Sequence, residues 1–177
     1  MPTAALSVFV AIASMSIVAC RTSPGGTGAG GVDDPSPSSR AEPPSGRLTG
    51  RPRFVPAPPG EVPSVVLAEV ARAESEGRRL VVYEGASWCD PCRHFHAAVA
   101  EGTLDASFPR LTLLEFDADR DGPRLNAAGY GSQYIPLFAL PGKDGRAAGP
   151  KAAGGIKGDG VVPYLTKKLD DLLAQGT

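Results

Sequence analysis

The sequence predicts an α/β domain with a mixed sheet of about four strands and helices on both faces, preceded by a disordered N-terminal tether. Three observations carry this expectation. Short apolar runs alternate with stretches of helical spacing. Gly142-Lys143-Asp144-Gly145 supplies a tight turn between the last two strand candidates, which makes that pair antiparallel. An amphipathic helix then closes the chain.

The folded domain is expected over 61–177. After Pro63-Ser64, Val66, Val70 and Ala73 recur at helical spacing with Leu67 alongside, and Gly77 is placed to end that helix. Leu80-Val81-Val82-Tyr83 is a short apolar run bounded by Arg79 and Gly85, which suits a buried central strand. Asp90 to Ala100 reads as a helix with Cys92, Phe95 and Val99 on one face, stopping at Gly102. Leu111 to Phe116 is the second strand, followed by a short helix around Pro123 to Ala128. Leu137 to Leu140 is the third, with a fourth near Ala147. Val162, Leu165, Leu169, Leu172 and Leu173 line the closing helix, for which Asp159 is the expected cap.

The chain ahead of this domain is of a different kind. Ala4 to Val18 is small and apolar, without charge, too short to span a bilayer and of the length of a signal-peptide core. Residues 1–19 are therefore expected to be an export signal, although Met1 to Val10 contains no Lys or Arg. Residues 20–60 are rich in Pro, Gly and Ser and should form a disordered tether, whose forty or so residues have an r.m.s. reach of roughly 35 Å.

Charge narrows the partners. With 18 Lys plus Arg against 19 Asp plus Glu, the formal charge is −1 and no basic stripe is available to neutralise phosphates, so nucleic acid is excluded as an expected partner. The cysteines number three, too few for a framework of several disulfides; Cys89 and Cys92 form a CxxC pair and Cys20 ends the apolar leader.

A strand running into Trp88-Cys89-Asp90-Pro91-Cys92 and then a helix places Cys89 at the helix N-terminus, where unpaired amides and the dipole favour a thiolate. Cys89 is thus the expected nucleophile. Cys92, one turn on, is within disulfide range and is the expected resolving thiol. Pro91 fits the first helical turn and stiffens the loop. The negative charge of Asp90 opposes the dipole and disfavours the thiolate, which points to a reducing or isomerising role.

Two segments resemble known families. Ile17-Val18-Ala19-Cys20 is similar to the lipobox of bacterial lipoproteins, which implies that Cys20 receives a diacylglyceryl group and begins the mature chain. Ala86-Ser87-Trp88-Cys89-Asp90-Pro91-Cys92 resembles the active-site segment of the thioredoxin family, and Tyr130-Gly131-Ser132-Gln133-Tyr134-Ile135-Pro136 resembles that family's segment ending in a cis-proline. The resemblance covers Glu61 to Gln175 in family order. It implies a thioredoxin-like fold, a cis Pro136 facing the CxxC loop, an Ile135 backbone offered to an extended substrate, and a Trp88 that shields one side of the thiols. Tyr83 departs from the pattern. It stands where many members carry a buried carboxylate that moves protons for the resolving thiol, and strand alternation turns the adjacent Glu84 to the opposite face.

Rival readings are fewer. Cys89, Cys92 and His96 share one helix face with His94 nearby, which suggests a copper or zinc site, yet residues so close on one helix cannot all converge on a tetrahedral metal. A non-catalytic interaction module is weakened by the intact cysteines and Trp88. Asp117-Ala118-Asp119-Arg120-Asp121-Gly122 looks like the start of a calcium loop, but the position of the bidentate acid is Ala128, so these aspartates are expected to end a strand and cap a helix.

The expected activity is thiol-disulfide exchange on protein thiols and disulfides, with the Cys89–Cys92 pair as redox centre and no organic cofactor. The expected location is the cell envelope, outside the cytoplasm, with the membrane as partner through the lipid anchor, a membrane electron donor renewing the thiols, and a monomer as the working unit.

Overall fold

The computed structural model describes residues 50–176. The leader, Cys20 and the tether up to residue 49 lie outside the described residues. The elements run β1 (Arg53–Pro56), α1 (Val62–Ser75), β2 (Arg79–Gly85), α2 (Asp90–Glu101), β3 (Leu111–Asp117), α3 (Ala118–Ala127), β4 (Leu137–Pro141), β5 (Ala147–Ala153) and α4 (Val161–Gln175). They form one sheet of order β1-β3-β2-β4-β5. β1, β3 and β2 are mutually parallel, whereas β4 runs antiparallel to β2 and β5 antiparallel to β4.

Period-two alternation in β2 divides the core. Val81 and Tyr83 point to one face, where Phe95 and Val99 of α2 and Leu165 and Leu169 of α4 cover them. Leu80 and Val82 point to the other, against Val62, Val66 and Ala73 of α1 and Leu125 of α3. Each Leu or Val so buried contributes about 1.5–3 kcal/mol. Both faces of β2 are thus dry, which is why its sequence is an unbroken apolar run rather than an alternating one.

Four expectations need correction. The sheet has five strands: Arg53–Pro56, inside the stretch assigned to the tether, pairs with Thr112 to Glu115 of β3, so the folded domain begins before Glu61. Pro-rich flanks hid a strand of four residues that is ordered by groups distant in sequence, β3 through pairing and Tyr83, Phe95 and His96 against the Phe54 ring. The third helix starts at Ala118 rather than near Pro123, because Asp117 caps it by accepting from the Asp119 and Arg120 amides at 3.0 Å each. The last helix is capped at Gly160 with no side-chain cap bond, not at Asp159. Leu67, grouped with the core of the first helix, is exposed.

The element that carries the cysteines is well delimited. Cys89 is the N-cap of α2, Pro91 lies in its first turn, and Gly102 ends it in the left-handed region at φ 84°, where a side chain would be strained.

Candidate functional site

β2 ends at Gly85, and the chain turns through Ala86, Ser87 and Trp88 into α2. Cys89 and Cys92 are joined by a disulfide with Cα atoms 5.2 Å apart. Both are buried, in a small cluster with Ala86 that Ala118 and Ile135 pack against. The Cys92 amide donates to Cys89 Sγ at 3.2 Å, so an orphan N–H of the helix N-terminus is aimed at the sulfur expected to act as nucleophile.

The Ile135-Pro136 peptide is cis. Its loop adjoins the cysteine loop: a Cβ on Gly155 would lie 2.6 Å from Pro91 Cβ and 3.6 Å from Pro136 Cδ, so the two proline rings close on Gly155 and leave no room for a side chain there. The Gly154 amide donates to the Pro136 carbonyl at 2.9 Å. Trp88, Tyr134 and Ile156, which flank these loops in sequence, are exposed large apolar side chains. Trp88 is 63% exposed, and its indole Nε1–H donates to Asp119 Oδ2 at 2.8 Å.

Asp90 does not stand alone. Arg93 Nη2 lies 2.8 Å from Asp90 Oδ1, and His94 Nε2 lies 3.7 Å from Asp90 Oδ2. The negative charge that the sequence places between the cysteines is therefore offset by the Arg93 guanidinium.

The group expected to serve Cys92 is not where the family pattern puts it. Tyr83 is fully buried, its hydroxyl has no hydrogen-bond partner, and burial, with the charge of Glu115 added, pushes its pKa far above the usual range. It cannot act as a base. Glu84 faces the other side of the sheet as alternation required, and its carboxyl is pushed up by burial, with Lys151 opposing and Asp121 adding to the shift.

His96, one of the rival metal ligands, is otherwise engaged. Its ring stacks on Phe54 at 3.7 Å between centroids, and Nε2 lies 2.7 Å from Glu115 Oε1. Among the described residues no group of three or more His, Cys, Asp or Glu side chains is arranged to hold a metal ion. The aspartates after β3 serve the backbone instead. Asp121 is buried and accepts from the Asp117 amide, Arg120 and Arg124; burial opposes its ionisation, yet these bonds outweigh it and hold the carboxyl below its ordinary range.

Sequence reasoning did not find Glu115, Asp119 or Gly155 as neighbours of the cysteine loop. Each reaches it through strand pairing or loop return, and no local motif announces such contacts.

The strand order, a CxxC disulfide capping the helix after the central strand, and a cis-proline loop beside it define a thioredoxin-like domain. No family model matches the sequence, and no curated protein matches it. Solved structures similar to the chain include oxidized thioredoxin O1 from Arabidopsis thaliana, with 19% identity, a TM-score of 0.39, and coverage of 71% of this chain and 97% of that one. A poplar thioredoxin h is similar at 20% identity and TM-score 0.41, over 70% of this chain and 97% of the other. A disulphide isomerase from Xylella fastidiosa shows 19% identity and TM-score 0.40, over 62% and 89%.

Proposed function

We propose that the chain is a lipid-anchored thiol-disulfide oxidoreductase of the cell envelope that reduces or isomerises protein disulfides. The observation that carries the redox part is the Cys89–Cys92 bond at the start of α2, with a helix amide directed at Cys89 Sγ. In the reduced protein the Cys89 thiolate attacks one sulfur of a substrate disulfide and expels the first substrate thiol. Cys92 then attacks Cys89 Sγ, the mixed disulfide breaks, the second substrate thiol leaves, and the Cys89–Cys92 bond forms. Two electrons pass from the cysteine pair to the substrate, with no organic cofactor.

Trp88, Ile135 and Pro136 are proposed to receive the substrate segment. The exposed indole and the cis-proline loop border the disulfide, and an apolar surface suits an extended chain around a buried cystine. Cys20 is proposed as the lipidated residue, on the support of the lipobox-like Ile17-Val18-Ala19-Cys20. The oxidising location requires a membrane electron donor to renew the thiols, and the domain is proposed to work as a monomer.

The test is to express the full chain carrying Cys92→Ala in a bacterial host and separate its adducts on non-reducing gels. Partner proteins trapped on Cys89 and released by dithiothreitol are expected, and labelled fatty acid should enter the chain and be lost with Cys20→Ala. A chain that traps nothing, in which the purified wild type also fails to reduce a protein disulfide, refutes the enzyme reading. An unlabelled wild-type chain refutes the anchor.

A further inference from the structure

Beside the disulfide lies an open cleft of about 500 Å³. Cys92, Arg93 and His96 of α2, Glu115 and Asp117 of β3, and Arg120 of α3 line it. Three of its charged groups have structural employment. Arg93 is paired with Asp90, Asp117 caps α3, and Arg120 is held by Asp121 at 2.8 Å. Tyr83, the titratable group of β2 packed against the imidazole, has its ring centroid 5.6 Å from that of His96 and a buried hydroxyl.

His96 follows Cys92 by four residues on one helix, a spacing that brings side chains to about 5–6 Å between Cβ atoms. That is within reach of a proton transfer through one water. The imidazole is fixed rather than free. Phe54 stacks flat on it with 9° between planes, and Glu115 Oε1 lies 2.7 Å from Nε2, leaving Nδ1 as the nitrogen not facing the carboxylate. A proton taken up by the ring is met by a carboxylate already in place.

We infer that His96, positioned by Glu115 and Phe54, accepts the proton of Cys92 in the step that resolves the mixed disulfide, replacing the buried carboxylate that Tyr83 displaces. This rests on the thiol-disulfide reading given above. In the step, the Cys92 S–H proton passes to His96, the Cys92 sulfur bonds to Cys89 Sγ, the bond from Cys89 to the substrate sulfur breaks, and the departing thiolate takes the proton back. Electrons and protons balance without a further reactant.

The test mixes the reduced full chain rapidly with a disulfide-linked dimer of a fluorescent cysteine peptide, then quenches with acid and resolves free, mixed-disulfide and oxidised protein. His96→Phe keeps a ring to stack on Phe54 but cannot take a proton; Glu115→Gln keeps the shape but not the charge. Mixed-disulfide formation should stay within about twofold of wild type in both. Resolution should slow on the order of 100-fold in His96→Phe, the low end of what general-base catalysis supplies, and less in Glu115→Gln. The pH profile of resolution should lose an inflection in His96→Phe, and in His96→Ala, which vacates the stacking site on Phe54, free imidazole should restore part of the rate. Resolution as fast as wild type in His96→Phe across the pH range overturns the inference and leaves the enzyme reading intact. A wild-type chain that forms no mixed disulfide overturns both.

Discussion

Arg93 Nη2 and Asp90 Oδ1 are 2.8 Å apart, so the acidic residue between the two cysteines carries its own counter-charge one turn along the helix. The field at Cys89 is therefore that of a pair and not of a lone carboxylate. Both partners are well exposed, which limits such a pair to about 0.2–1 kcal/mol. Removing the cation by Arg93→Ala should disfavour the Cys89 thiolate, destabilise the reduced form and lower the reduction potential. At about 30 mV per 1.4 kcal/mol, the expected fall is on the order of 5–20 mV. Asp90→Asn should raise the potential by a similar amount. Equilibration with glutathione at pH 7 measures both, and the differences should shrink in high salt as screening shortens the reach of the charges. Shifts of the same sign in the two variants would rule out this electrostatic account.

Gly155 holds the cysteine loop and the cis-proline loop at their observed separation. An added methyl group would meet Pro91 Cβ at 2.6 Å and Pro91 Cγ at 2.9 Å, and neither ring atom is the far end of a flexible side chain. Gly155→Ala should therefore push the loops apart. The expected cost is about 1–3 kcal/mol, the usual range for overpacking, seen as a lower urea midpoint with unchanged slope. Because the displaced atoms adjoin the disulfide, peptide-disulfide reduction should slow as well. Gly149→Ala is the control for lost stability away from the loops: its φ is positive, at 76°, so a side chain is strained there, but nothing lies within 4 Å of the added carbon, and it should lose stability without slowing exchange.

Much of this arrangement was legible in the chain itself. The apolar run from Leu80 to Tyr83, the CxxC pair and the 3.6-residue spacing around Phe95 and Val99 are local signals, and they located β2 and α2. The Asp-Gly turn likewise gave the β4–β5 hairpin. What escaped depends on distant partners. β1 is a strand because β3 offers it a parallel edge, and its own residues are flanked by prolines typical of a linker. Glu115 meets His96 because β3 lies beside β2 in register with Tyr83, across a separation that no motif spans. The same limit explains Asp90: its charge could be read from the sequence, whereas the rotamer that hands it to Arg93 could not.

Glu84 provides a prediction about stability that is independent of the cysteines. Its side chain is buried on the face of β2 opposite Tyr83, and Oε2 has no hydrogen-bond partner. Burial raises the folded-state pKa above the value in the unfolded chain, about 4.3 for a glutamate. The native state thus binds this proton more tightly than the unfolded state does. Its contribution is fully present below the unfolded pKa and is lost as pH rises through the folded one, so at neutral pH the charged carboxylate is a net burden. Glu84→Gln removes that burden while keeping shape and polarity. Relative to wild type, the variant should gain stability between pH 4 and pH 7, by an amount that grows with pH and then levels. Urea unfolding followed by circular dichroism at a series of pH values measures the difference. A gain that is constant with pH would assign the effect to packing instead of ionisation, and a loss that deepens with pH would mean that the carboxylate is stabilised by its surroundings, with Lys151 outweighing burial.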